Sequence, residues 1–143
     1  MYDLQMGSAP WLRAAAIYLR MQVFVLERTI KIEDEFDKND VPGVVYAVIF
    51  DGKEPVATGR FLREGDDAAR LTRIATRADH RGQHLGTQII CALERHAQDL
   101  HIHDLQIHAE VTAIPFYTSL GYHAIGPVYE EDGVPCRVLA RML

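Results

Sequence analysis

Apolar residues in the first part of the chain recur at helical spacing. Leu12, Ala15, Ala16, Leu19, Val23 and Leu26 predict one helix from Trp11 to Glu27, entered through Ser8-Ala9-Pro10 with the proline near the first helical position. Residues 1–9 before it are short and irregular, with room for a small strand. The second half of the helix, Arg20 to Glu27, is apolar almost all round and is expected to be buried or to face a cleft. The pattern then becomes strand-like. Val44–Phe50, Val56–Leu62 and Ala69–Thr76 are separated by Asp51-Gly52 and by Arg63-Glu64-Gly65-Asp66-Asp67, which predicts an antiparallel meander. From Arg81 to about Leu100 the helical period returns. Leu85, Ile89, Cys91/Ala92, Leu93, Ala97 and Leu100 share one face, and Glu94, Arg95 and Gln98 lie on the other. Asp104–Ala109 alternates again.

Strand, helix and strand in that order predict a parallel pair with a right-handed crossover. Ala113 to Leu120 reads as a short helix, with Pro115 in its first turn and Gly121 just past its end. Tyr122–Ile125 begins a strand, Glu130-Glu131-Asp132-Gly133 is a turn, and Val134–Met142 is the last strand. The expected architecture is a single α+β domain over residues 1–143. Its sheet is mixed and mostly antiparallel, with a central parallel βαβ unit.

Composition narrows the class. With 48% hydrophobic and 24% charged residues the chain reads as globular. A net charge of −5 and a pI near 5.8 argue against nucleic acid as the main partner. The charge is segregated: Arg63, Arg70, Arg73, Arg77 and Arg81 lie together, and Glu33, Asp34, Glu35, Asp37 and Asp40 lie elsewhere. The acidic stretch, residues 31–43, ends in Asn39-Asp40-Val41-Pro42-Gly43 and predicts a solvated loop with a helical turn at Glu33 to Asp37. Beside a cleft, such a loop would attract a cationic substrate.

Two cysteines make no disulfide framework, and Cys91 is expected in the core. No signal-peptide pattern and no apolar span are present, so the expectation is a cytoplasmic protein with no membrane partner. His96, His101 and His103 lack partners at zinc-like spacing, so no metal is expected.

The candidate chemistry starts at Arg81-Gly82-Gln83-His84-Leu85-Gly86. A glycine-containing turn there leads from a strand into a helix. The first N–H groups of a helix lack intrahelical partners, and its dipole adds positive charge, so the turn suits a phosphate-bearing ligand. Arg77 and Arg81 would add charge. Ligands favour the carboxyl ends of parallel strands, where this turn lies.

The order of elements and three stretches resemble the GNAT superfamily of acyl-CoA-dependent N-acyltransferases. Arg73-Ile74-Ala75-Thr76 followed by Arg81 to Thr87 is similar to that family's strand and Q/R-x-x-G-x-G/A pyrophosphate loop. His108-Ala109-Glu110 followed by Phe116-Tyr117 and Leu120-Gly121-Tyr122 is similar to its second parallel strand and FY-x-x-L-G-F/Y helix. Leu19-Arg20, Val23-Phe24-Val25 and Glu27, with Glu131-Asp132-Gly133-Val134-Pro135, resemble the small ElaA-like branch.

The resemblance implies acetyl-CoA as co-substrate, with no metal. Its pyrophosphate would sit on Arg81, Gly82, Gln83, His84, Leu85, Gly86 and Thr87. Its pantetheine would run along Ile74, Ala75 and Thr76, beside Phe116 and Tyr117. The acceptor would be a primary amine of a small molecule or peptide, near Phe24, Glu27 and Glu110, and would attack the thioester directly in a ternary complex. Tyr117 would be the general acid; Glu110, His108, Glu27 or an ordered water would take the amine's proton. Tyr122 would serve packing.

His84 replaces the family's usual glycine, Glu110 the branch's glutamine, and Cys136 its histidine. Those departures motivate a non-catalytic acyl-CoA-binding module as the alternative, with an unrelated nucleotide-binding protein behind it. Exposed strand edges leave a homodimer open.

Overall fold

The computed structural model describes residues 1–143. Its strands are β1 (Tyr2–Gly7), β2 (Val45–Asp51), β3 (Glu54–Arg63), β4 (Ala68–Thr76), β5 (Asp104–Glu110), β6 (His123–Ala124), β7 (Tyr129–Glu131) and β8 (Val134–Met142). They form one sheet in the order β1-β2-β3-β4-β5-β8-β6, with β7 also paired to β8. Only β4 and β5 run parallel. The α-helices are α1 (Pro10–Arg20), α2 (Ile32–Glu35), α3 (Leu85–Asp99) and α4 (Ile114–Ser119).

The alternation along β2 explains the layering. Ala47 and Ile49 face the main core with Ile89, Ile90 and Leu93 of α3. Tyr46 and Val48 point to the other face and meet Leu12 and Ala16 of α1. The helical stripe on α3 runs through Leu85, Ile89, Ile90, Ala92, Leu93 and Ala97. Cys91 is exposed, contrary to the expectation of a core residue. At about 100° per residue it lies past the edge of that stripe, and Ile90 takes the inner place.

The expected single helix to Glu27 changes character at Met21. Met21–Glu27 is a π-helix, with wider turns that alter the phase of the stripe. Val23 remains buried, but Leu26 is 71% exposed, so this half is not buried all round.

The acidic stretch also departs from expectation. It is neither solvated nor free. Glu35 is 1% exposed and Arg20 and Arg60 are fully buried, so the stretch is folded onto the sheet through an ion cluster. Arg20 donates to Glu35 Oε1 (2.9 Å), to the Glu35 carbonyl (2.9 Å) and to both Asp40 oxygens (2.7 and 2.9 Å). The Tyr46 hydroxyl donates to Asp40 (2.7 Å). Arg60 bridges Asp37 and Asp40, and Arg73 reaches Asp37 at 3.1 Å. Three guanidiniums thus neutralise three carboxylates. Glu33 and Asp34 stay exposed.

One irregularity in β4 creates the functional cleft. Thr58 faces Ala75 and Arg60 faces Thr72, so β4 carries one residue more than β3 across that interval. Arg73 takes a positive φ of 53° there. Such a bulge bends its strand. β4 pairs with β5 only from Ala68–Asp104 to Leu71–Ile107, and beyond that the parallel strands diverge into a V.

Gly59 lies opposite the bulge. A Cβ on it would approach Ile89 to 2.7 Å, Ile74 to 2.8 Å and Leu93 to 2.9 Å. Gly59→Ala is therefore expected to destabilise the fold by about 1–3 kcal/mol through overpacking, read as a lower midpoint in denaturant titration.

Candidate active site

The V opens into two chambers that share a wall. The inner one, a cavity of about 820 Å³, lies between β4, the start of α3 and α4. The outer one, about 520 Å³, lies between the π-helix, α2 and the β7–β8 hairpin. Phe24, Arg28, Ile74, Glu110, Ala113 and Tyr117 border both.

The inner chamber carries features of an anion and amide site. No side chain caps α3, which leaves the N–H groups of Leu85, Gly86 and Thr87 without helical partners. Gly82 holds φ at +80°, and a Cβ on Gly86 would come within 3.3 Å of Phe116. Past Leu71, the β4 edge that faces the V has no strand partner. Ile74, Ala75, Thr76, Arg81, Gly82, His84, Leu85, Gly86, Thr87, Phe116 and Tyr117 all border this chamber. Gln83 does not; its amide oxygen accepts from the Tyr2 hydroxyl at 2.5 Å.

The side-chain charge expected from Arg77 and Arg81 is largely spent within the chain. Arg77 pairs with Asp79 and Glu54. Arg81 holds Glu27 through both terminal nitrogens (2.8 and 2.9 Å) and donates to the Thr76 carbonyl at 3.0 Å. Glu27 accordingly borders the inner chamber, away from the acceptor region it was expected to serve. Arg81's hydrogen bonds and charge lower the Glu27 pKa, which fits a structural partner better than a proton acceptor. The phosphate-binding potential that remains is mainly backbone.

His84 sits at the N-cap of α3 with φ +60°, in the left-handed region. Glycine adopts that conformation without steric cost, which accounts for a glycine in such a turn. It costs a non-glycine residue about 1–2 kcal/mol. His84→Gly is expected to be tolerated, with a change in stability within about 1 kcal/mol because the strain relieved offsets the added freedom of the unfolded chain. A thermal melt of the variant checks this.

Tyr117 lies at the junction of the chambers. It is only 7% exposed, and its hydroxyl makes no hydrogen bond within the chain. Burial, helped by the Glu110 charge, pushes its pKa up to about 12. The phenol is therefore protonated across the physiological range. Phe116 packs edge-on against it at 5.0 Å. Tyr122, also buried, donates to Glu94 at 2.8 Å, a contact that Arg141 shares. Glu94 is thus held in a polar contact rather than left free on an outer face.

Glu110 and His108 project into the outer chamber from β5, two residues apart on one face. The Glu110 carboxylate is ion-paired with Arg28 at the end of the π-helix, a bridge across the cleft. Burial and the nearby Arg70 lower the His108 pKa, so the imidazole is neutral near pH 7. Cys136 pairs with Glu110 in the β5–β8 register. Burial and the carboxylates of Glu131, Glu110 and Asp132 raise its thiol pKa, which disfavours a nucleophilic thiolate.

Arg28 went unnoticed in the sequence, although it follows Phe24 by four positions on a helical stretch that faces the cleft. Its partner lies 82 residues away, and no local pattern marks that pairing.

The cleft thus combines a bulge that parts two parallel strands, an uncapped helix N-terminus beside the gap and, at its centre, a phenol with no partner within the chain. The profile of the acetyltransferase (GNAT) domain family matches residues 29–138, and the chain belongs to that family. It is 46% identical over 110 residues to an uncharacterized acetyltransferase of Streptococcus pyogenes serotype M1, covering 77% of this chain and 78% of that one. A crystal structure assigned as an N-acetyltransferase from Lactobacillus plantarum superposes with a TM-score of 0.94 at 35% identity, covering 99% and 98% of the two chains. The crystal structure of Escherichia coli ElaA superposes with a TM-score of 0.87 at 25% identity, with 99% of each chain covered, which places the protein in the small ElaA-like branch. The protein is therefore an acetyltransferase of the GNAT class, whose common donor is acyl-CoA.

Proposed function

We propose that the protein moves an acetyl group from acetyl-CoA to a primary amine of a small molecule or peptide, by direct attack within a ternary complex. The observation that carries this reading is Tyr117: a buried phenol with no partner in the chain, opening on both chambers.

The inner chamber suits the donor. The free N–H groups of Leu85, Gly86 and Thr87 would hold the pyrophosphate, and the unpaired edge of Ile74 and Ala75 would pair with the pantetheine amides. The Thr76 carbonyl is already engaged by Arg81, so Thr76 contributes less to that pairing. Backbone N–H groups at the bulge are suited to polarise the thioester carbonyl.

The amine would arrive from the outer chamber, past Phe24. Tyr117 would supply the proton to the departing sulfur. The neutral imidazole of His108 is better suited than Glu110 to receive the amine's proton, because Arg28 already holds the Glu110 carboxylate. No helix in the fold is long and apolar enough to cross a membrane. A cytoplasmic location belongs to the same reading.

Thiol release from acetyl-CoA, followed with a chromogenic thiol reagent across a panel of amines, tests the proposal. Amine-dependent release with a matching acetylated product supports it. Tight CoA binding without release from any amine would favour a non-catalytic acyl-CoA-binding module instead.

A further inference from the structure

The outer chamber carries a charge imbalance that the ion pairs around it do not remove. Arg28 is taken by Glu110, and Arg73 by Glu35 and Asp37. Arg70, outside the chamber but close to His108, is taken by Glu64. That leaves Lys31 against the exposed, unpaired carboxylates of Asp34, Glu131 and Asp132. The acidic stretch of residues 31–43 is therefore not the main source of negative potential, because its core is neutralised by Arg20, Arg60 and Arg73. The potential comes instead from the tip of the β7–β8 hairpin. After burial, Glu131 and Asp132 both help to raise the Cys136 thiol on the same hairpin.

The chamber also meets a polar group with no partner within the chain. Tyr117, more than nine-tenths buried and without a hydrogen-bond partner, opens on the same chamber. A ligand that fills the chamber thus meets Tyr117 at one end and free carboxylates at the other.

The register sets the spacing. Cys136 lies opposite Glu110, Val134 lies two residues further out on β8, and Glu131 faces Val134. Glu131 is thus two residues along the sheet from Glu110 and on the far side of β8, a backbone separation of about 12 Å. Asp132 and Gly133 both hold positive φ (53° and 78°), the two-residue turn whose twist matches its strands.

We propose that the acceptor is a small amine with a second positive charge, its reacting nitrogen beside Tyr117 and its distal cation at Glu131 and Asp132. This rests on the acetyl-transfer reading above and specifies its acceptor. The step is a simple exchange. The unprotonated nitrogen forms the C–N bond, the C–S bond breaks, the sulfur takes the Tyr117 proton, and the nitrogen loses one proton to His108. The distal cation takes no part in the bond changes. It orients the chain and raises the local concentration of the acceptor.

Three probes of equal length separate the options: cadaverine, its monoamine counterpart pentylamine, and its ω-amino acid counterpart aminovalerate. Calorimetric binding to the CoA-loaded protein reads selectivity without requiring turnover, and thiol release reads turnover. Cadaverine is expected to bind about five- to tenfold tighter than pentylamine, since exposed ion pairs are individually weak and several must act together. Aminovalerate is expected to bind weakest. The advantage of cadaverine should shrink with added salt. In the Glu131→Gln/Asp132→Asn double variant the cadaverine-to-pentylamine ratio should fall toward one.

Equal binding of cadaverine and pentylamine, tighter binding of aminovalerate, or a ratio unchanged in the double variant would overturn the inference. Turnover of pentylamine with no preference for cadaverine would do so while leaving acetyl transfer standing. Selective cadaverine binding without thiol release would support the charge selectivity and overturn the assignment of such diamines as acceptors.

Discussion

Tyr117→Phe is expected to lower kcat by about 10²–10⁴-fold, the usual contribution of a positioned general acid. The change removes one hydroxyl and little else. That hydroxyl makes no hydrogen bond within the chain, so its loss leaves no partner unsatisfied. The ring keeps its edge contacts with Phe116 at 5.0 Å and Tyr122 at 6.3 Å. Thermal stability should therefore stay the same or rise slightly, and the KM for acetyl-CoA should move little, because the groups proposed to hold the donor lie on β4 and α3. A fall in kcat with unchanged stability separates a chemical role from a packing one. The pH profile gives a second handle. With its pKa near 12, Tyr117 stays protonated, so a loss of wild-type activity between pH 8 and 10 belongs to another group. Unchanged turnover in the variant would remove Tyr117 from the chemistry.

Arg20→Ala is expected to cost about 3–5 kcal/mol of stability, the range for breaking a buried pair by removing one partner. Arg20 makes four hydrogen bonds to Glu35 and Asp40 from a fully buried position. Without it, Glu35 and Asp40 keep their charge with less compensation. That is a large part of the ordinary stability of a domain. The acceptor chamber should loosen as well, since α2 forms one wall of it and is tied down through Arg20.

The same cluster sets the acid response. Burial alone would raise the Asp40 pKa, but the hydrogen bonds from Arg20 and Tyr46 and the charges of Arg20 and Arg60 hold it far below the ordinary 3.8. Asp37 is lowered too: burial opposes the shift, and Arg60 outweighs it. Depressed carboxylates contribute stability that is full above their unfolded value and is lost as pH falls below it. Glu35 runs the other way. Burial raises it above 4.5 despite Arg73, Arg20 and Arg60, so its protonation favours the folded state as pH falls through its raised pKa. Between neutral pH and the mid-4 range only the Glu35 effect acts, so the cluster's contribution should hold or rise slightly as pH falls, and it should drop below about pH 4 as Asp37 and Asp40 become protonated in the unfolded chain. Denaturant midpoints across pH 3–7 measure this, and Arg20→Ala should flatten the drop.

Local periodicity explains why much of this molecule was legible before its structure. The β-branched and aromatic run at Val44–Phe50, its return at Val56–Leu62, the stripe on Leu85–Asp99 and the turn at Gly121 are all short-range patterns, and each element formed close to where its pattern lay. The loop from Arg81 to Thr87 and the Phe116-Tyr117 helix are each contiguous in sequence, so these parts of the inner chamber's lining were legible, whereas Val23, His80 and Thr112 were not. What escaped depends on contacts between distant residues. Arg20 with Asp40, Arg60 with Asp37 and Arg81 with Glu27 are separated by 20, 23 and 54 positions. Read locally, each acidic residue of the 31–43 stretch looked solvated. The π-helix at Met21–Glu27 escaped for another reason: its apolar residues also fit an ordinary helix, and only the backbone geometry tells the two apart. The positive φ of His84 could have been inferred from the glycine it replaces, but not which way its side chain would turn.

The claim at the centre of this account is that the gap between β4 and β5 holds an acyl-CoA donor with its sulfur against Tyr117. A crystal structure of the complex with coenzyme A measures that directly. The account predicts the pyrophosphate on the N–H groups of Leu85, Gly86 and Thr87 and the sulfur within hydrogen-bond distance of the Tyr117 hydroxyl. Coenzyme A bound elsewhere on the surface, or seated in the gap with its sulfur turned away from Tyr117, would contradict it.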